Sequence, residues 1–512
     1  MTVTSFAFLG LLLAGIIIYY LVPKKCQWVV LTVIGIVFYL SAARPYTITF
    51  LIISTLIAYV YTCMYDRFTD RQPKLPLYLV LCAIFANVAV WFLLKGSSFW
   101  VMGSTFINGL FPKFPIVSAL RYSGALGMGY YTAQIIGYIL DVYWGNIKPQ
   151  KNPVKLFLFV SFFPQLTVGP ISRYKDMKVL YEPHVFKYEN IAFGAQRILW
   201  GLFKKLVISD RVGLIVNSIW KDTDTFCGLW PWIAVLLYPV QIYNDFSGCM
   251  DIVLGAAELF DIHLAENFKN PFFSRTIQEF WQRWHITLGT WARDYVYYPV
   301  LKSDFLIKLG KKSKKKFGKR IGKFIPWSIG MGILWFVMGF WHGSVQHIFG
   351  VSLWFWFALI FMELTGPFWT KVTEVLKIRT ESFSWHLFQS IRTYFVYAVG
   401  AVFFSADGLL GALKHFKLLL VTRSSAKPWM LFDGTVLNTG VTYIDLNVIV
   451  VGILLLFAAA YLREKYGYAR CWIKSQCVLF RWSIWVALFI FVLIFGLYGP
   501  GYEASTFIYQ GF

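Results

Sequence analysis

The feature that most restricts how this chain can fold is a succession of apolar runs, each about 18 residues long, separated by basic connections. Residues 6–22, 28–42, 46–64 and 77–94 open the sequence in this way. Lipid offers no partner for a bare backbone N–H or C=O, so such runs cross a bilayer as helices. Charged residues make up 14% of the chain and hydrophobic ones 58%, whereas soluble domains carry about 25% charged residues. A large soluble protein with buried helices is therefore set aside in favour of a polytopic membrane protein.

The basic residues fix an expected orientation. The connections after the first and third runs hold Lys24, Lys25, Arg67, Arg71 and Lys74, while the connection after the second holds only Arg44. Cytoplasmic loops are enriched in Lys and Arg, which puts the amino terminus outside. The first run lacks a basic segment before it and a convincing cleavage site after it, so it is expected to be a retained helix. A fifth run near 124–144 leads to a basic segment, 148–155, on the inside, leaving 95–115 outside. The formal charge of +23 would suggest nucleic acid in a soluble chain. Here it sits between apolar runs, where anionic lipid is the expected partner and nucleic acid is not. Seven scattered cysteines read as buried small apolar residues rather than a disulfide or zinc framework.

From residue 155 the pattern changes. The apolar run 156–163 is interrupted by Pro164, Gly169 and Pro170, which break a helix. A loop at the membrane surface or a re-entrant turn lining a cavity would satisfy the broken backbone, and the second is favoured, with Arg173 close behind it. The run 191–208 carries Arg197, Lys204 and Lys205 and suits a helix in the interface or packed inside the bundle. Polar residues 241–251, Asn244 and Asp245 among them, fall in the middle of an apolar run, which marks a pathway or site. Between 267 and 299, Phe280, Trp284, Leu288, Trp291 and Tyr295 recur at helical spacing and read as packing. Arg283, His285, Arg293 and Asp294 among them are harder to explain by packing alone.

Dense lysines from Lys308 to Lys323 read as a cytoplasmic loop touching anionic lipid. If that loop is inside, residues 324–341 rise roughly 26 Å as a helix and carry His342 to the outer half of the bilayer. Runs near 348–364, 394–404, 446–462 and 478–497 look like plain membrane helices. The fold expected is all-α, with about a dozen transmembrane or re-entrant helices. It forms a single domain over 1–512, with amino-terminal helices to 150, a core over 155–350 and carboxy-terminal helices from 351.

Of the seven histidines, His184 and His415 are expected to be solvated. His386 falls in a Ser/Trp-rich loop, and His263 is expected to bond Asp261. His342 stands apart, at the end of an apolar helix between Trp341 and Gly343. Loss of hydration favours a neutral imidazole there, able to take a proton from an attacking hydroxyl. His342 and His347 are five apart, a poor helical spacing for zinc. No Gly-x-Ser-x-Gly elbow and no phosphate-binding Gly-rich loop with Lys is present. A transporter for lipid-linked sugar would show broken helices in two related halves, whereas no repeat stands out here.

Several ordered motifs resemble the membrane-bound O-acyltransferase family. They are Phe162-Phe163-Pro164-Gln165-Leu166-Thr167-Val168-Gly169-Pro170-Ile171-Ser172-Arg173, then residues 241–251, then Glu279-Phe280-Trp281-Gln282-Arg283-Trp284-His285-Ile286-Thr287-Leu288, then Arg293-Asp294-Tyr295, and Gly339-Phe340-Trp341-His342-Gly343. Their order is similar to the bacterial branch that O-acetylates secreted polysaccharides, with D-alanyl transfer to teichoic acid as a near relative. The resemblance is strong over 155–350.

The resemblance implies a ring of helices around a central funnel and tunnel. His342 would be the base, or a transient acyl carrier, and His285 would orient or activate a thioester donor. Asn244 and Asp245 would position His285 or line the tunnel. Trp281, Arg283, Trp284, Trp341 and Arg173 would shape the funnel. No bound cofactor or metal is implied. The donor would be acetyl-CoA or an acyl-carrier thioester, with the lysine run as a possible docking patch for it. The partners implied are an extracytoplasmic esterase-like acetyltransferase and a polysaccharide acceptor. Two departures bear on the substrate. Tyr298-Pro299-Val300-Leu301-Lys302 follows Arg293-Asp294-Tyr295 where a Gly-Gly-Asn-Arg turn is usual, and Gly343-Ser344-Val345-Gln346 follows His342 where Gly-Ala-Ser-Trp is common.

Overall fold

Helices account for the regular structure of this protein, and no strand is present among the described residues. The structure is a computed structural model that describes residues 1–68, 75–95, 126–421 and 428–499. The loop expected over 95–115 and the basic residues Arg71 and Lys74 lie outside these. Eight helices among the described residues are long and apolar enough to cross a membrane, and Phe6–Leu21 is a shorter apolar helix. The chain is a multi-pass membrane protein. Large apolar side chains such as Phe85, Phe361, Leu454 and Phe489 stand exposed along these helices, the position that a lipid solvent favours. The same logic corrects the expectation of buried cysteines. Only Cys249 is buried, and Cys63 and Cys82 sit exposed on helices that meet lipid.

The chain forms two compact units. The first contains the described residues of Met1–Leu202 and Gly248–Glu266. Its centre is aromatic: Phe8, Phe38 and Phe163 meet one another, and Phe260 packs edge-on against Tyr19 and Phe163. The helix Tyr188–Leu202 lies against Gly248–Glu258 backbone to backbone. A Cβ on Gly201 would sit 2.5 Å from the Gly248 carbonyl oxygen, and one on Gly255 2.6 Å from that of Gly194. Small residues permit this approach. Arg197 is held there by Asp251 and Glu266 at 3.1 and 2.8 Å. One face of the helix is packed inside, through Asn190, Gly194, Ile198 and Gly201.

The broken segment 162–172 also lies in the first unit and is buried throughout. Helix Pro153–Ser161 starts on the Asn152 side chain, which accepts from the Val154 and Lys155 amides. It stops at Phe162, and one short turn, Phe163–Leu166, follows. The Gln165 side-chain Nε2 donates to the Phe159 carbonyl at 2.9 Å, satisfying backbone freed by the break. A surface loop is ruled out by this burial. His184, expected to be solvated, is also buried here. Its ring meets the Val179 carbonyl at 2.8 Å and Asp261 at 3.4 Å. A nearby carbonyl and a carboxylate 77 residues away supply the partners that water would have supplied.

The second unit contains the described residues of Phe203–Ser247 and Asn267–Ile508. The lysine run is helical rather than a loop. Gly318, at φ 83° and ψ 174°, divides Asp304–His342 into two helices. Gly322 lies against Lys314, and Gly310 against Pro326, so the two arms run antiparallel from that turn. Lysine is a good helix former, and its charge is accommodated because nearly every lysine here is exposed. His415 is half-buried rather than solvated, stacked on Trp220 at 3.8 Å.

Candidate active site

The site is assembled in the second unit from three stretches that the chain breaks at short intervals. The first break falls at His285. Helix Ile277–Arg283 starts on the Thr276 hydroxyl, which accepts from the Glu279 amide. His285, at φ 46° and ψ 50°, then separates it from helix Ile286–Ala292. The stripe from Phe280 to Tyr295 is buried as its spacing predicts, but it runs over separate short helices rather than one. A left-handed conformation is unusual for a side chain with a Cβ and persists only where surroundings hold it. Here Asn267 holds it. Its Oδ1 accepts from the Thr287 amide and hydroxyl, both at 2.9 Å, and lies 3.4 Å from His285 Nδ1. Its carbonyl accepts from the Ile286 amide, and the Lys269 amide donates to the Arg283 carbonyl. Phe268 and Trp284 form an antiparallel bridge across the same turn.

The second break falls after His342. The helix ends on Gly343 at φ 79°, and a π-helical turn, His347–Ser352, follows. The turn is drawn onto the His342 helix by Gly339, where a Cβ would lie 2.7 Å from the His347 carbonyl oxygen. The Ser352 hydroxyl bonds the Trp335 and His347 carbonyls at 2.7 and 2.9 Å. His347 is thereby placed beneath His342. The two rings stack with centroids 4.8 Å apart and planes 21° apart, and Phe404 meets both edge-on.

Trp341 joins the two halves. Its ring is 6.0 Å from His285 and 4.9 Å from His342. A row therefore runs from buried His285 through half-buried Trp341 to buried His342 and His347. Phe246 packs edge-on against His285 at 4.8 Å. One residue before it, Asp245 accepts from Lys205 Nζ at 2.6 Å, and Asp210 accepts from the same nitrogen at 2.8 Å. Lys204 donates to the Ser247 hydroxyl and carbonyl. Both lysines lie in a π-helical turn, Phe203–Ser209. Such turns often accompany functional sites.

The remaining expected residues are placed as follows. Asn244 is fully buried; its amide donates to the Val240 carbonyl and its Oδ1 has no hydrogen-bond partner. Trp281 packs edge-on to Trp335 and Phe355 at 4.9 and 4.7 Å. Trp284 is buried against Phe280, Phe268 and Tyr397. Arg283 pairs with Glu279 and Glu464, each at 2.8 Å. Arg173 is half-buried in the first unit, on the broken segment. No group of three His, Cys, Asp or Glu side chains among the described residues could hold a metal ion. His347, Ser344 and Lys205 carry no site role that their places in the sequence show. Lys205 signals only a buried partner, which a lysine inside an apolar run needs.

Chemically, the row offers imidazoles in a water-poor setting, where a neutral ring can accept a proton and a fixed dipole acts strongly. Residues 147–400, which contain the whole row, match the membrane-bound O-acyltransferase family. The chain is 30% identical over 284 residues to the probable alginate O-acetylase AlgI of Pseudomonas syringae pv. tomato, covering 56% of this chain and 49% of that protein. It is 32% identical over 246 residues to the peptidoglycan O-acetyltransferase of Helicobacter pylori, covering 43% of this chain and 44% of that one. It is also similar to the teichoic acid D-alanyltransferase of Bacillus subtilis, 28% identical over 272 residues, covering 52% and 63%. The alginate and peptidoglycan relatives are matched over about half their length.

Proposed function

Through residues 147–400 this chain belongs to the membrane-bound O-acyltransferase family, and we propose that it moves an acetyl group from a cytoplasmic thioester to a polysaccharide outside the membrane. The observation that carries this reading is the row of three buried histidines, His285, His342 and His347, joined by Trp341. His342 is the base. It takes the proton of the acceptor hydroxyl as that oxygen attacks the thioester carbonyl. The carbon–sulfur bond then breaks, and the thiolate leaves as thiol with the proton that His342 held. His285, held rigidly by Asn267, orients the donor. Asn244 and Trp281 bring a buried unpaired oxygen and a buried indole N–H to the same unit, as the lining of a polar path would.

The donor is acetyl-CoA, bound as substrate. The acceptor is a secreted or cell-envelope polysaccharide, reached by way of an extracytoplasmic esterase-like partner. The protein sits in a bacterial plasma membrane with its amino terminus outside and its lysine hairpin against anionic headgroups within. The similarity to a teichoic acid D-alanyltransferase supports a second donor, a D-alanyl thioester on a carrier protein. Purified protein given radiolabelled acetyl-CoA, or separately a D-alanyl carrier thioester, distinguishes them. Acetyl release or transfer supports the first, and turnover of the carrier thioester alone replaces it with the second. Turnover of neither, with and without polysaccharide, contradicts both.

A further inference from the structure

We propose that His347 is the positioning residue for His342, a flat plate that fixes the plane of its imidazole; this rests on the reading of His342 as the base. The torsion that turns an imidazole about its Cβ–Cγ bond has a broad profile, so packing must set the ring plane. Trp341 and Phe404 meet the His342 ring edge-on, and no face of that ring is covered from within its own helix. His342 is the last residue of its helix, so no further turn lies above it, and three residues below stands Gly339, which has no side chain. The space left by Gly339 is taken by the turn that carries His347.

His347 is itself fully buried and held at several points. Its amide donates to the Ser344 carbonyl at 3.2 Å, and its own carbonyl accepts from Ser352. The ring nitrogen Nδ1 is hydrogen-bonded to the Ser344 hydroxyl, which stops the ring from turning. Phe404 closes its edge at 4.6 Å. The near-parallel stack then passes that fixed plane to His342. Stacking of this kind depends on a flat ring rather than on a ring nitrogen. A base whose ring swings out of line loses much of the advantage of a prepared geometry.

The test uses the full chain in lipid nanodiscs, with the labelled thioester that the wild type turns over. His347→Leu removes the plate, His347→Phe restores a flat ring, and His342→Ala is the reference. The expected result is a fall in kcat of roughly tenfold to a hundredfold for His347→Leu. KM for the donor and the melting temperature stay near wild type, and His347→Phe recovers most of the rate. Ser344→Ala, which only frees the ring to turn, lowers kcat in the same sense and decides the matter should the leucine variant fail to fold. Wild-type kcat in His347→Leu overturns the proposal. A phenylalanine variant as slow as the leucine one overturns it too, since ring nitrogens rather than the flat ring would then be needed. Full activity in His342→Ala contradicts the underlying assignment of the base instead.

Discussion

At the scale of residues, the site depends on side chains that hold two histidines in fixed poses. Asn267 is the clearest case, because one oxygen accepts from both the amide and the hydroxyl of Thr287 and faces His285. Asn267→Ala leaves a buried amide and a buried hydroxyl without that acceptor, which costs about 1–3 kcal/mol. The expected result is a lowered melting temperature together with a raised KM for the donor, measured by thermal unfolding and initial rates. An unchanged KM would remove His285 from donor binding. His342 was legible in the sequence because a histidine at the end of an apolar helix is out of place. His347 is not legible in that way, because helical spacing says nothing of two residues that lie on separate helical segments. Gly343 turns the chain between them, and stacking follows from that turn.

At the scale of elements, the apolar runs gave helices close to where they were expected, since hydrogen bonding in lipid leaves few alternatives. The breaks were harder to read. Pro164, Gly169 and Pro170 marked one plainly, whereas the turn at His285 is imposed by tertiary contacts with residues 267–269 and has no local signature. The lysine run reads as a loop by its charge but is helical, because exposed lysines carry that charge on helix surfaces. The turn falls at Gly318, one of three glycines in that stretch. Among the charged pairs, Lys205 has the strongest structural claim, being 4% exposed between two carboxylates that are each 1% exposed. Lys205→Met leaves both carboxylates buried without their cation and is expected to destabilise by about 3–5 kcal/mol. Asp245→Asn leaves Lys205 paired with Asp210 and is expected to cost clearly less. Thermal unfolding in nanodiscs reads this asymmetry, and equal losses would contradict the account of a shared cation.

At the scale of the molecule, the account requires the thioester to arrive on one side of the membrane and the acceptor on the other. On the proposed orientation the basic hairpin lies on the donor side. In a chain stripped of its own cysteines, Lys315→Cys is expected to react with a membrane-impermeant maleimide only when the cytoplasmic face is open. Labelling from outside would invert the assigned orientation. The central claim is that His342 is the base for acyl transfer, and its most direct test is the rate of transfer from the labelled thioester in wild type and His342→Ala, at matched folding by thermal unfolding. The account predicts loss of activity of at least about a hundredfold, the lower range for removal of a general base. A His342→Ala protein that folds and transfers at the wild-type rate would contradict it.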